Sequence, residues 1–126
     1  MALKKELIVT YIDWLIKWFV WHESKEMKRV TKKQPAVYIL SSNLNGTLYI
    51  GVTSNLVKRV WEHKNHVVDG FTKKHDIHTL VWYELHETME SAISHEKRLK
   101  SWKREWKVRM IEKKNLWWQD LYQSIL

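Results

Sequence analysis

Cysteine is absent from this chain, which excludes disulfides and thiolate metal sites at once. Any metal must be held by oxygen or imidazole, and a reducing, cytoplasmic setting is the expectation. Proline occurs once, at Pro35, and glycine three times in 126 residues, so dedicated turn residues are few and their positions stand out. Acidic residues are also scarce: 14 Asp and Glu against 22 Lys and Arg leave a formal charge of +8 and a pI near 9.7. That balance favours a polyanionic partner, either nucleic acid or an anionic membrane surface. No apolar run is long enough to span a bilayer of about 30 Å comfortably. The most apolar stretch, "LKKELIVTYIDWLIKWFVW" at 3–21, is interrupted by Asp13 and Lys17, and no small-residue cleavage site follows it. A chain of this length is expected to build one domain around one core.

Aromatic side chains are plentiful, with nine Trp and five Tyr. In the stretch at 3–21, Glu6, Thr10, Asp13 and Lys17 recur at helical spacing within apolar surroundings, which predicts an amphipathic helix with a wide apolar surface. Trp14, Trp18 and Trp21 on it could meet a lipid interface, the rest of the domain, or a second chain. The polar segment "HESKEMKRVTKKQP" then reads as a linker. Residues 1–33 are therefore taken as an accessory helix and linker, and 34–126 as the main domain. Met27 is a second possible start, to be tested by mass spectrometry of the natively expressed N-terminus.

Beyond Pro35 the pattern predicts strands at 36–41, 47–52 and 79–84 and helices at 54–67, 89–101 and 103–114, in the order β-β-α-β-α-α. Thr53 or Ser54 is positioned to cap the first helix and Thr88 the second, with Glu90 favourable in its first turn. Between the first two strands stands Asn45-Gly46, the signature of a two-residue type I′ turn, which would pair Asn43 with Leu48 and Ser41 with Ile50. Side chains alternate with period two, so Tyr38, Leu40, Tyr49 and Gly51 share one face and Val37, Ile39, Leu48, Ile50 and Val52 the other. Both phenols then lie on one side of the sheet.

The following helix has an apolar stripe of Leu56, Val57, Val60, Trp61 and Val67, bordered by Arg59, His63 and His66. On the later helix, Met89, Ala92, Ile93 and Glu96 form one stripe. A carboxylate at such a position is costly unless it is paired or binds a metal. Residues 97–114, "KRLKSWKREWKVRMIEKK", carry nine Lys or Arg and two Glu, with Trp102 and Trp106 among them. Lys97, Lys100, Lys103 and Arg104 there, with Lys73 and Lys74 in the loop after the first helix, are the candidate phosphate contacts.

These residues are also where the sequence resembles the GIY-YIG nuclease superfamily, especially its small stand-alone bacterial members and, more distantly, the N-terminal domain of the excinuclease C subunit. The first tripeptide stands as "AVY" at 36–38 and the second as "YIG" at 49–51. "GVTSNLVKRVWEH" carries Arg59 and His63 at the family spacing, "HEKRLKSW" carries Glu96, and "NLWWQDLY" resembles the closing motif with Asn115 at its Asn position. The resemblance implies an α+β fold, a three-stranded antiparallel sheet flanked by helices, here with an extra N-terminal amphipathic helix.

It also implies a divalent-metal-dependent endonuclease that hydrolyses phosphodiesters in DNA, with RNA left open. Glu96 would bind a single Mg²⁺ or Mn²⁺, Arg59 would hold the scissile phosphate, and Tyr38 or Tyr49, aided by His63, would orient or deprotonate the attacking water. Asn115 would support the site by hydrogen bonding. The base is left open, because a phenol titrates near about 10 whereas imidazole titrates near neutrality. With no extended recognition domain in view, selectivity for DNA structure is expected over selectivity for sequence. Two other readings stand beside this one. The fold could serve as a non-catalytic nucleic-acid binding module, or His63, His66, His75 and His78 could form an imidazole metal site.

Overall fold

Every residue of β1 (Ala36–Ser41) is buried, so the segment reads as a nearly continuous apolar run and not as an alternating one. The cause is its place in the sheet. In the computed structural model, which describes residues 33–67 and 70–126, β1 lies between β2 (Leu48–Thr53) and β3 (Thr79–Leu85), antiparallel to both. The helices are α1 (Leu56–Lys64), the one-turn α2 (Phe71–Lys74), α3 (Met89–Ser101), α4 (Arg104–Lys114) and a short α5 (Tyr122–Ile125). A three-stranded antiparallel sheet flanked by helices is therefore the architecture, as expected. The helix predicted over 3–21, with its tryptophans, and Met27 lie outside the described residues.

Two apolar layers cover the sheet. On one face Ala36, Tyr38, Leu40 and Leu80 pack with Leu56 and Val60 of α1 and with Ile77, and half-buried Tyr49, Tyr83, Leu121, Tyr122 and Ile125 complete the layer. On the other, Val37, Ile39, Ile50, Val81 and Trp82 pack with Ala92 and Leu99 of α3, Ile111 of α4 and Trp118. Val81 and Trp82 are consecutive yet share this layer, because the β1–β3 register shifts between Ile39 and Leu40. A β-bulge of this kind breaks the period-two alternation by one residue.

The hairpin corrects the predicted register. Tyr38 pairs with Gly51 and Ser41 with Leu48, so Ser42–Thr47 form the connection and Asn45-Gly46 is not a two-residue turn. The tight turn runs from Asn43 to Gly46, whose N–H donates to the Asn43 carbonyl at 3.0 Å, with Asn45 at φ 54. The slip is by two residues, and a shift by an even number keeps every side chain on its predicted face.

Tyr49 and Tyr38 accordingly remain together. Gly51 also becomes legible, since a Cβ there would overlap Cζ and Oη of Tyr38 and stand 2.9 Å from its Cε1. Gly51→Ala is expected to destabilise the fold by about 1–3 kcal/mol through overpacking. Chemical denaturation of the variant measures this.

Local chemistry sets the helix ends. Asn55, not Thr53 or Ser54, caps α1: its side chain accepts the Lys58 N–H at 3.2 Å, while Thr53 Oγ1 accepts the Asn55 N–H at 3.0 Å. Thr88 caps α3 as expected, accepting the Ser91 N–H at 3.1 Å. Within α1 the buried residues are Leu56, Val57, Val60 and His63, so His63 belongs to the buried row and Val67, 58 % exposed, does not.

Candidate active site

Three rings from three elements meet on the face of the sheet covered by α1. Tyr38 of β1 and Tyr49 of β2 have ring centroids 6.3 Å apart, and His63 of α1 stands 5.9 Å from Tyr38 and 5.3 Å from Tyr49. Tyr38 Oη and His63 Nε2 are hydrogen-bonded at 3.1 Å. The opposite ring nitrogen, Nδ1, is hydrogen-bonded to Thr72 Oγ1 of α2, also at 3.1 Å. Arg59 projects from α1 one turn before His63, where its positive charge acts on both Tyr38 and His63.

Exposure divides the cluster in two. Tyr38 and His63 are 1 % and 2 % exposed, whereas Tyr49 and Arg59 are half-buried. The outer pair can meet a substrate and the inner pair can act only through it.

Electrostatics follow the same division. Burial, reinforced by the adjacent Tyr49 phenol, pushes the Tyr38 hydroxyl well above the usual phenol range, with Arg59 pulling the other way. Tyr38 is therefore a proton-bearing phenol at ordinary pH. Burial first and the Arg59 charge second hold His63 below its ordinary 6.5, while Glu62 opposes them. His95 is lowered as well, by burial first, with Glu84 opposing and Arg98 and His86 adding.

A histidine lowered on folding takes up protons more readily in the unfolded chain. The fold thus gains stability as pH rises toward 6.5 and loses it as pH falls through the lowered values. The melting temperature is expected to drop between about pH 7 and about pH 5, and His63→Asn is expected to flatten part of that slope. Thermal melts across that range measure it.

Glu96 stands elsewhere. It is 7 % exposed on α3, in the row of Ala92 and Leu99, and α3 packs on the opposite face of the sheet from the rings. Its carboxylate is ion-paired with Lys100, one turn on. Asn115 is buried and is a brace: its Nδ2 donates to the Val81 carbonyl at 3.1 Å and the Gln119 carbonyl at 2.8 Å, and its Oδ1 accepts the Gln119 N–H at 2.9 Å. These bonds hold the C-terminal segment against β3. From there Asp120 pairs with Lys64, the residue after His63, and Leu121 and Tyr122 join the ring-bearing layer.

The expected phosphate contacts divide too. Lys73 and Lys74 are exposed on α2, and Lys97 and Lys103 are exposed at α3 and the start of α4. Lys100 is engaged by Glu96. Arg104 braces the hairpin, donating to the carbonyls of Asn45 at 2.8 Å and Gly46 at 2.7 Å. Trp102 packs on the core, edge-on to the exposed Trp106.

The four histidines proposed as an imidazole site do not converge. His63 is used by Tyr38 and Thr72, His75 lies against Phe71, and His66 and His78 flank Asp76. Among the described residues no group of three or more His, Asp or Glu is set to hold a metal ion. Mg²⁺ is commonly held by one or two carboxylates, with water and substrate phosphate completing its shell, and Glu96 would be the oxygen donor offered for it. Its charge is already met by Lys100, whose ammonium a cation would have to displace.

Two contributors escaped the sequence. Thr72 sits in a segment read as loop, and a single helical turn has no periodicity to reveal it. Glu62 acts only through space on His63, so nothing in the sequence pattern marks it.

The profile of the GIY-YIG catalytic domain matches residues 34–109. The chain belongs to the GIY-YIG family. That family is one of nucleases, so its membership implies a nucleic-acid substrate. Two UPF0213 proteins from two strains of Staphylococcus epidermidis are each 33% identical to this GIY-YIG chain over 76 residues, covering 60% of it and 92% of the relative. Their names state no activity. No solved structure matches the chain.

Proposed function

We propose that this protein is a divalent-metal-dependent endonuclease that hydrolyses phosphodiesters in DNA, selecting branched or nicked structure over sequence. The observation that carries the reading is the closure of Tyr38, Tyr49 and His63 into one ring cluster with Arg59 beside it. Structural packing alone gives no reason for a guanidinium charge beside two phenols and a buried imidazole.

Arg59 binds the scissile phosphate through paired N–H donors and offsets the charge that grows on its oxygens. Tyr49, at the rim of the cluster, orients the attacking water. The water oxygen bonds to phosphorus, the bond to the leaving oxygen breaks, and the water's proton passes inward toward Tyr38 and His63 while the leaving oxygen takes one from solvent. β2 is an edge strand, and α3 packs against it as well as against β1. Glu96 is carried by that helix, on the face of the sheet away from the phenols. Glu96 would hold the ion, which would supply charge neutralisation and a more acidic water.

One observation favours a second reading, a non-catalytic nucleic-acid binding module: Lys100 already neutralises Glu96. A cleavage assay separates the two. Plain, nicked and branched DNA are incubated with the full chain in Mg²⁺ or Mn²⁺, with a chelator control. Metal-dependent strand breaks, faster on branched or nicked DNA, are expected. Tight binding of all substrates without any cutting would leave only the module.

A further inference from the structure

We propose that Thr72 is a positioning residue that locks His63 in its Nδ1–H tautomer, leaving Nε2 as the acceptor for the Tyr38 proton. The chemical use of this lock rests on the nuclease reading above, and the geometry does not. A neutral imidazole has one donor and one acceptor nitrogen, and here each faces a hydroxyl, Tyr38 Oη on Nε2 and Thr72 Oγ1 on Nδ1. The two hydroxyls are not equivalent. A phenol is the more acidic and the better donor, whereas an alkyl hydroxyl oxygen is the better acceptor. Tyr38 therefore donates to Nε2, and Nδ1–H donates to Thr72.

The build of the loop supports a dedicated role. α2 is a single turn, and Thr72 is its only buried residue, 4 % exposed, while Phe71, Lys73 and Lys74 are exposed. Gly70 enters it at φ 106, a left-handed conformation suited to glycine. Ile77, fully buried, closes it by donating its N–H to the Thr72 carbonyl at 2.8 Å. A helical turn that buries one threonine and sets its hydroxyl on a histidine nine positions earlier in the chain does little for the apolar core.

In the reaction the Tyr38 O–H bond breaks and Nε2–H forms as the Tyr38 oxygen takes the proton passed in from the Tyr49 side. His63 is then a cation with both nitrogens protonated, held at Nδ1 by Thr72. Besides Tyr38 and Thr72, the groups acting on it are Tyr49, Arg59 and Glu62. The proton leaves by the reverse route after the products depart.

Long-range proton–nitrogen NMR of the full chain, with His63 assigned from the spectrum of His63→Asn, reads the tautomer without any need for activity. In the wild type, Nδ1 is expected to be the protonated nitrogen. Thr72→Val is expected to mix or invert the tautomers and Thr72→Ser to preserve them. In cleavage, Thr72→Val is expected to lower kcat by about 10–100-fold with little change in DNA affinity, and Thr72→Ser to restore most of it. An Nε2–H tautomer in the wild type, or a Thr72→Val protein with unchanged tautomer and kcat, overturns the assignment. Wild-type protein that cuts nothing defeats the nuclease reading alone, since the spectrum still decides the role of Thr72.

Discussion

Arg59→Ala is expected to lower kcat for phosphodiester cleavage by about 10²–10³-fold while weakening DNA binding only modestly. The asymmetry follows from where the charge sits. Arg59 is one cation on a chain with a formal charge of +8, so ground-state attraction to DNA is shared with many lysines. The charge that develops on the reacting phosphate, by contrast, is met at the ring cluster by this guanidinium. Lysine is not an equivalent substitute, because an ammonium lacks the planar fork that engages two phosphate oxygens. Arg59→Lys should recover little of the loss. Single-turnover kinetics beside equilibrium binding separate the two quantities, and an equal fall in both would assign Arg59 to binding alone.

Glu96→Gln is expected to abolish cleavage in Mg²⁺ and Mn²⁺, a loss of about 10³-fold or more, since an ion of this kind contributes several kcal/mol to the transition state. DNA affinity should hold or rise, because the change removes a negative charge beside Lys100 and frees that ammonium for phosphate. Glutamine keeps the shape of the side chain, so the buried row of Ala92, Glu96 and Leu99 should still pack. A variant that still cuts at the wild-type rate would place the ion elsewhere or remove it from the chemistry. A variant that merely unfolds is recognised by its melting curve.

The ring cluster was legible in the sequence because sheet alternation is insensitive to even shifts. Asn45-Gly46 signalled a two-residue turn, and the register built on it was wrong by two positions, yet Tyr38 and Tyr49 stayed on one face. β1 was legible from its nearly continuous apolar run, and α3 from a stripe at helical spacing that follows a threonine whose side chain caps the helix. Burial of Glu96 followed from its spacing with Ala92.

Periodicity says which side of a helix is buried, however, and nothing about which face of a sheet the helix will cover. The opposition of Glu96 to the rings across the sheet was therefore invisible. The same limit explains Asn115 and Arg104. Their partners are backbone carbonyls and amides brought close by the fold, and carbonyls leave no mark in the sequence. Thr53, read as a possible cap, lost that role to Asn55 because its own hydroxyl is turned back to the Asn55 amide.

The most direct test of the account is a crystal structure of Glu96→Gln bound to a short nicked DNA. The account predicts a backbone phosphate on the Arg59 guanidinium, within hydrogen-bond reach of the Tyr49 hydroxyl. A DNA backbone seated along Lys97 and Lys103, with every phosphate remote from Arg59 and Tyr49, would contradict it.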